Sequence, residues 1–322
     1  MEGQPQSRAE DVRFSDAIHR SRFGEQLEAH LRIPRLKPRT DDELPVPAPP
    51  RQRYPVPLGP ALRELIGARE LLRTFVERDL RLRYRQAALG AAWAIFQPLL
   101  LMVVFTLAFG RIAKVGSEGA PYAVFSYSAL VPWGFFAGSV NYGVTNIVGN
   151  APIVRKIALP RDVIPIASVL SAGVDFVVSG LILMGMLFAY GYTPRLTWLA
   201  YPVLFVILAE FALMATLLAT LVTVYFRDTR FAIPTLLQVL LFASPVAYPL
   251  SKVLRGLPPG LRRAYPYIDP MAPLMDGLRR VLLHGRWPQW GPVGSAAVIG
   301  TASLVVVYRW YKQVDPRFAD VI

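Results

Sequence analysis

The chain of 322 residues contains no cysteine and only three histidines. Without cysteine it forms no disulfide and performs no thiol chemistry, and the usual Cys/His zinc-ligand spacings are missing. The sequence also contains no GxxxxGK[ST] loop, no HExxH and no GxSxG. Because these motifs carry phosphate, metal and nucleophile chemistry, their absence argues against an enzyme with its own ATP site.

Charged residues are scarce, at 18%, whereas 53% of the residues are hydrophobic. A helix that crosses the membrane needs about 20 predominantly apolar residues. Windows of this kind recur along the chain, and we predict an all-α polytopic membrane protein with six transmembrane helices and both termini on the same side. The predicted spans are 88–110, 122–148, 163–190, 198–225, 231–250 and 291–310.

The formal net charge is +13, and the arginines flank apolar spans rather than forming one basic face. This pattern argues against nucleic-acid binding and for the excess of cations that cytoplasmic loops carry. We therefore expect both termini in the cytoplasm. The outer segment 251–290 breaks the rule with seven cations, which we expect to face lipid headgroups or an aqueous vestibule. The alternative is an inverted topology.

The regions outside the spans differ in character. Residues 1–60 end in a Pro-rich stretch and predict a flexible cytoplasmic extension. Residues 61–86 carry apolar residues at three- and four-residue spacing and predict an amphipathic helix at the membrane interface. Residues 251–284 predict two short amphipathic or re-entrant helices, 251–263 and 271–284, before the last span. We expect residues 312–322 to form a cytoplasmic tail.

The segment 150–162 lies between two membrane-length apolar runs and must emerge into water because of its charge. Apolar residues alternate with its cations at helical spacing, and prolines bound it. Ordinary loop charge explains the cations alone, whereas a short helix with an exposed apolar face suggests a partner's groove. The residues concerned are Ile153, Val154, Arg155, Lys156, Pro160, Arg161 and Asp162.

Two carboxylates, Asp175 and Glu210, lie within predicted spans. Such residues can mark a functional site, but polar groups also join membrane helices by hydrogen bonds, and we favour that structural interpretation. Aromatic residues crowd the second span, including Trp133 and Phe136. They are typical either of an interfacial belt or of a stacking surface for sugar rings, and the sequence leaves both open.

Four stretches resemble the membrane subunit of polysaccharide-exporting ABC transporters of the ABC-2 type. They are RELLRTFVERDLRLRYRQAALGAAWAIFQPLL (69–100), NAPIVRKIALPRDVIP (150–165), VYFRDTRF (224–231) and LLQVLLFASPVAYP (236–249). This family exports O-antigen, capsule and teichoic acid, the first of these for lipopolysaccharide biosynthesis. The likeness runs from about Leu62 to the C-terminus. Asp269 departs from it, since the family often has Asn there.

The resemblance implies a homodimer in the cytoplasmic (inner) membrane that binds two ATPase subunits and moves a lipid-linked glycan. ATP and Mg²⁺ would be bound by the ATPase, so no cofactor is expected in this chain. Segment 150–162 would be the coupling helix, beside the interface-helix residues Arg78, Asp79, Arg81 and Arg83. The residues expected to line the conduit are Trp93, Phe96, Phe105, Phe109, Trp133, Phe136, Phe242 and Tyr248.

Two other functions remain open. An ABC-2 permease for a lipid or a drug would have the same general features. A membrane glycosyltransferase would need clustered carboxylates in an outer loop, where only Asp269 and Asp276 are placed suitably.

Overall fold

The computed structural model describes residues 58–84, 92–150, 160–226 and 228–314. Every regular element within these stretches is helical, which confirms the all-α prediction. Three predictions lie largely outside the described residues: the Pro-rich extension 1–60, most of segment 150–162, and the tail 312–322 beyond Val314.

The described residues form eleven α-helices. Their bounds are α1 Leu58–Gly67, α2 Arg69–Tyr84, α3 Trp93–Phe105, α4 Tyr122–Gly149, α5 Val163–Ala189, α6 Ala200–Tyr225, α7 Thr229–Ala243, α8 Leu250–Gly256, α9 Pro259–Ile268, α10 Met271–Arg279 and α11 Trp290–Val314. Two π-helical stretches, Thr106–Ile112 and Arg280–His284, continue α3 and α10, and a 3-10 turn, Leu196–Leu199, precedes α6.

Five helices are long and apolar enough to cross a membrane: α3 with its π-helical continuation, α4, α5, α6 and α11. The predicted fifth span, 231–250, corresponds instead to the 15-residue helix α7. At 1.5 Å per residue α7 is about 22 Å long, which is short of a hydrocarbon core about 30 Å thick. Beyond it the backbone turns extended at Ser244. The count of six spans therefore stays a prediction.

The predicted interface helix consists of two helices, α1 and α2, separated at Ala68. Leu71 and Phe75 form the apolar side of α2 and are buried against Val163 and Ile164 at the start of α5. The four-residue spacing of Leu71 and Phe75 places them on one face of the helix. This contact directs α2 along α5.

The predicted outer segment contains three short helices, α8, α9 and α10, rather than two. Pro258 precedes α9 and Pro270 precedes α10, and proline suits a helix start because it lacks the N–H that helices leave unused there. The Asp269 carboxylate accepts a hydrogen bond from the backbone N–H of Met271 at 3.0 Å. That bond gives the acidic residue a structural role in starting α10.

Helix α4 lies at the centre of the molecule, packed against α5 and α6. Its aromatic residues Phe125, Tyr127 and Phe135 are buried among neighbouring helices. These three side chains pack inside the helix bundle, so they form neither an interfacial belt nor an exposed stacking surface for sugar rings. The closeness of α6 requires Gly143, where an added Cβ would lie 2.4 Å from the Thr216 methyl carbon.

Candidate functional site

The predicted coupling segment is described only at its C-terminal end. Ile153, Val154, Arg155 and Lys156 lie outside the described residues, whereas Pro160, Arg161 and Asp162 lie within them. Asp162 directly precedes α5 and its side chain is fully buried. A buried carboxylate is costly unless it is paired and hydrogen-bonded, so its partners define the site.

Asp162 is held by the last helix, α11. The hydroxyl of Tyr308 donates to its carboxylate at 2.8 Å, and Lys312 Nζ lies 3.1 Å from the same group. Lys312 also contacts the Glu64 carboxylate of α1 at 3.0 Å. The hydroxyl of Tyr311 donates to the Arg161 carbonyl at 3.3 Å. We call Glu64, Asp162, Tyr308 and Lys312 the inner polar cluster. It joins α1, α11 and the end of the predicted coupling segment.

A second set of contacts joins α2 to the other end of that segment. Arg78 donates to the side-chain oxygen of Asn150, the residue that follows α4. Asp79, which is buried, accepts from Asn146 Nδ2 at 2.5 Å and contacts Arg78 at 3.2 Å. Burial raises the pKa of Asp79, while Arg78, Arg83 and Asn146 lower it without offsetting the effect of burial. The Asn150 end of the segment is thus anchored to α2. The Asp162 end is anchored to α11 and, through Lys312, to α1.

The C-terminal end of α2 reaches the middle of α5. Arg83 Nη1 lies 2.5 Å from the Asp175 carboxylate, and its guanidinium sits 3.4 Å from the centre of the Tyr142 ring. The hydroxyls of Tyr142 and Tyr84 also donate to Asp175. Asp175 is 12 residues beyond Val163, or about 18 Å along the helix. This carboxylate therefore bridges helices, as does Glu210, which accepts from Thr301 at 2.9 Å.

The predicted interface-helix residues thus have different roles. Arg78 contacts Asn150 just beyond α4, Asp79 contacts α4 and Arg83 contacts α5, whereas Arg81 is exposed. Sequence periodicity places all four on α2, but the partners lie 67 to 92 residues away in the chain.

A cavity of about 540 Å³ opens between α3, α4 and α5 beside the Arg83–Asp175 pair. Of the predicted conduit residues, Trp93 and Trp133 line it. Phe136 is buried against Trp133. The lining also includes Asn141, whose buried side-chain oxygen has no hydrogen-bond partner among the described residues.

The remaining predicted conduit residues lie on α3 and around α7. Phe105, Phe109 and Phe242 form one aromatic group with ring centres 5.3 to 6.4 Å apart. Phe96 is exposed. The hydroxyl of Tyr248 donates to the Phe242 carbonyl at 2.6 Å, so Tyr248 caps the end of α7. The predicted set is divided between the cavity and this outer aromatic group.

Sequence reasoning missed Arg279 at the outer end. It was expected to face headgroups or a vestibule with the other cations of 251–290, but it is 2% exposed. Its guanidinium donates to backbone carbonyls of the segment that follows α7 and to the Phe125 carbonyl of α4. Burial lowers the pKa of Arg279 to about 10, so it remains protonated at neutral pH. No local sequence pattern signals contacts of this separation.

Residues 70–283 match the family model described as ABC-2 type transporter. The chain is 30% identical over 261 residues to the O-antigen export system permease protein RfbA of Myxococcus xanthus, covering 81% of this chain and 98% of that protein. It is 24% identical over 254 residues to a protein of the same name from Klebsiella pneumoniae, covering 79% and 95%.

Proposed function

The chain belongs to the ABC-2 type transporter family, and we propose that it is the permease subunit of an ABC exporter for a lipid-linked polysaccharide of the O-antigen, capsule or teichoic-acid kind. The observation that carries this proposal is the similarity to an O-antigen export permease, which extends over 98% of that relative. A family match alone would suit a lipid or drug exporter equally well.

Energy would come from two copies of a separate ATPase that bind ATP and Mg²⁺. The cationic, apolar segment 150–162 would occupy a groove of that partner. Its anchoring supports the proposal, because Asn150 is tied to Arg78 and Asp162 to Lys312. A displacement imposed on a segment held at both ends moves the attached helices rather than being lost in a slack loop.

We further propose that two copies form the conduit between them. Helix α3 exposes Trp93, Phe96 and Val103, and α7 exposes Phe231 and Val239. Apolar faces of this kind contact either lipid or another helix, and exposed faces on the first span and on α7 are consistent with a conduit built from these helices of both copies. The glycan would pass there with few fixed charges to hold it.

The proposed location is the cytoplasmic (inner) membrane, with both termini in the cytoplasm. The inner polar cluster supports the placement of the termini on one side, because α1 near the N-terminus and the end of α11 meet at Lys312. Arginines of α2, including Arg69 and Arg73, are exposed near this end and would meet anionic headgroups.

The proposal is tested by deleting the gene in its host and restoring it on a plasmid. Cells lacking the chain should accumulate lipid-linked glycan on the cytoplasmic side and lose it from the surface, as measured with a lectin before and after lysis. Export that continues normally without the chain, while another lipid is retained, would assign it to the lipid or drug class instead.

A further inference from the structure

Side chains of other helices donate hydrogen bonds to the non-helical backbone between α7 and α8. Residues 244–249 are not helical, so their carbonyls lack the usual intrahelical donors. Four successive carbonyls, those of residues 245–248, each accept a hydrogen bond from a side chain of another helix. Backbone at membrane depth must be satisfied by protein or by water.

Arg279 of α10 supplies three of these four bonds. Its Nη1 donates to the Pro245 carbonyl at 2.7 Å and to the Tyr248 carbonyl at 3.2 Å, and its Nη2 donates to Val246. The hydroxyl of Tyr122, at the start of α4, donates to the fourth, that of Ala247. We call Arg279 and Tyr122 the outer clamp.

Only an arginine can make this set of contacts. Its planar guanidinium presents five N–H donors in a fixed fork, whereas a lysine presents a compact ammonium. The third nitrogen, Nε, donates to the Phe125 carbonyl at 3.3 Å, and the guanidinium carbon lies 3.8 Å from the centre of the Phe125 ring. The outer clamp therefore joins α10, α4 and the end of α7.

The acceptors are neutral carbonyls, and among the described residues no carboxylate lies within ion-pair distance of Arg279; the neighbouring Asp276 is paired with Arg280 instead, at 3.6 Å. Opening the clamp therefore separates no ion pair, and water can replace every bond. Tyr248 caps the Phe242 and Ala243 carbonyls at 2.6 and 3.1 Å, so α7 keeps a capped end when Arg279 is withdrawn.

We propose that the outer clamp is a gate: Arg279 is a positioning residue that holds the outer end of α7 against α4, and export requires its release. The link to export rests on the function proposed above, whereas the closed arrangement at rest does not. Replacing the Arg279 guanidinium should expose the non-helical segment 244–249 to solvent. In the unaltered protein, ATP turnover should expose the same segment transiently.

The test uses single cysteines, because the chain has none of its own. Val246→Cys replaces a fully buried side chain in segment 244–249, and Leu261→Cys replaces one that is 51% exposed. The rate of maleimide labelling of the purified full-length chain in detergent reports opening. Leu261→Cys should react readily in every background and serves as the reference.

Adding Arg279→Met should speed labelling of Val246→Cys by at least about tenfold, since bonds to a charged donor are lost and local opening becomes easier. Tyr122→Phe, which removes a single hydroxyl, should give a smaller increase and remains informative if Arg279→Met fails to fold. Arg263→Met, which removes an exposed arginine of α9, is the control and should leave the rate unchanged. Equal rates in Tyr122→Phe, Arg279→Met and the parent would overturn the clamp.

A second arm follows Val246→Cys labelling in the complex with the ATPase. We expect the labelling rate to rise when ATP and Mg²⁺ are added and to fall back to its resting value when ATP is exhausted. If glycan is exported while labelling stays at the resting rate, the gate is refuted but the export function stands. If no glycan is exported, the export function fails, while the resting measurements still decide the clamp.

Discussion

Lys312 links the two carboxylates of the inner polar cluster. Its side chain is 7% exposed and bonds both Asp162, which is fully buried, and Glu64, which is half exposed. A buried ion pair contributes little compared with a well-packed apolar pair, but removing one partner leaves the other charge uncompensated. The cluster is therefore sensitive to the loss of the lysine charge.

We predict that Lys312→Met destabilises the protein by about 3–5 kcal/mol, the usual cost of breaking a buried pair. Thermal unfolding in detergent should shift down by several degrees. Lys312→Arg, which keeps the charge, should lose much less. Arg73→Met is the control, because its ion pair with Glu77 at 2.8 Å is exposed on both sides. An unchanged midpoint in Lys312→Met would show that the cluster carries no stability.

The helices themselves follow closely from the sequence. Apolar windows predicted α4 and α5 to within one residue at each end, because a long and nearly charge-free run indicates where a membrane helix begins and ends. Hydropathy could not predict that α7 stops at Ala243, since the residues beyond it, SPVAYP, are also apolar. Their non-helical backbone is stabilised by Arg279, and its contact with Phe125 spans 154 positions in the chain.

The site shows the same division between local and long-range information. Charge and periodicity predict a coupling role for segment 150–162, which stays a prediction, and place Arg78 and Arg83 on one helix, which is α2. They did not reveal that Arg83 pairs with Asp175 or that Lys312 reaches Asp162. Those contacts depend on how α2 packs against α5 and α11 against α6, which a single sequence does not encode in any local pattern.

Reversing the charge of the predicted coupling segment should leave membrane insertion intact while abolishing binding of the ATPase. We predict that the protein carrying Arg155→Glu and Arg161→Glu inserts into the membrane at the normal level but no longer co-purifies with the ATPase. Two cations that would complement the partner's surface become anions, which the same surface repels. Arg69→Glu combined with Arg73→Glu, on the exposed side of α2, is the control and should retain the partner. Normal co-purification of the first variant would move the docking site elsewhere.

At the scale of the whole molecule, polar contacts hold both ends, whereas the middle combines apolar packing with the Arg83–Asp175 and Glu210–Thr301 contacts. The inner polar cluster and the Arg78–Asn150 contact tie both ends of the predicted coupling segment to the helices, and the outer clamp joins α4, α10 and the end of α7 at the opposite end. Between them, α3 and α7 carry broad exposed apolar faces. This arrangement suits a subunit that transmits a displacement from one end and completes its conduit with a second copy.

The proposed homodimer is tested by single cysteines at two valines of matched exposure. Val239 on α7 and Val177 on α5 are 59% and 58% exposed. We expect Val239→Cys to give a dimer with a short bismaleimide in membranes, because α7 would face its counterpart across the conduit, and Val177→Cys to remain monomeric on gels. The reverse result would place the subunit contact on α5.

The proposed export function is tested most directly by transport with purified components. The chain and its ATPase would be reconstituted in proteoliposomes with a fluorescent lipid-linked oligosaccharide, and movement across the bilayer would be followed by protection from an added glycosidase. We predict movement that requires ATP, Mg²⁺ and both proteins, and that Arg155→Glu with Arg161→Glu abolishes it. Movement without the ATPase would refute export driven by that partner. Movement at full rate with the variant would refute coupling through segment 150–162.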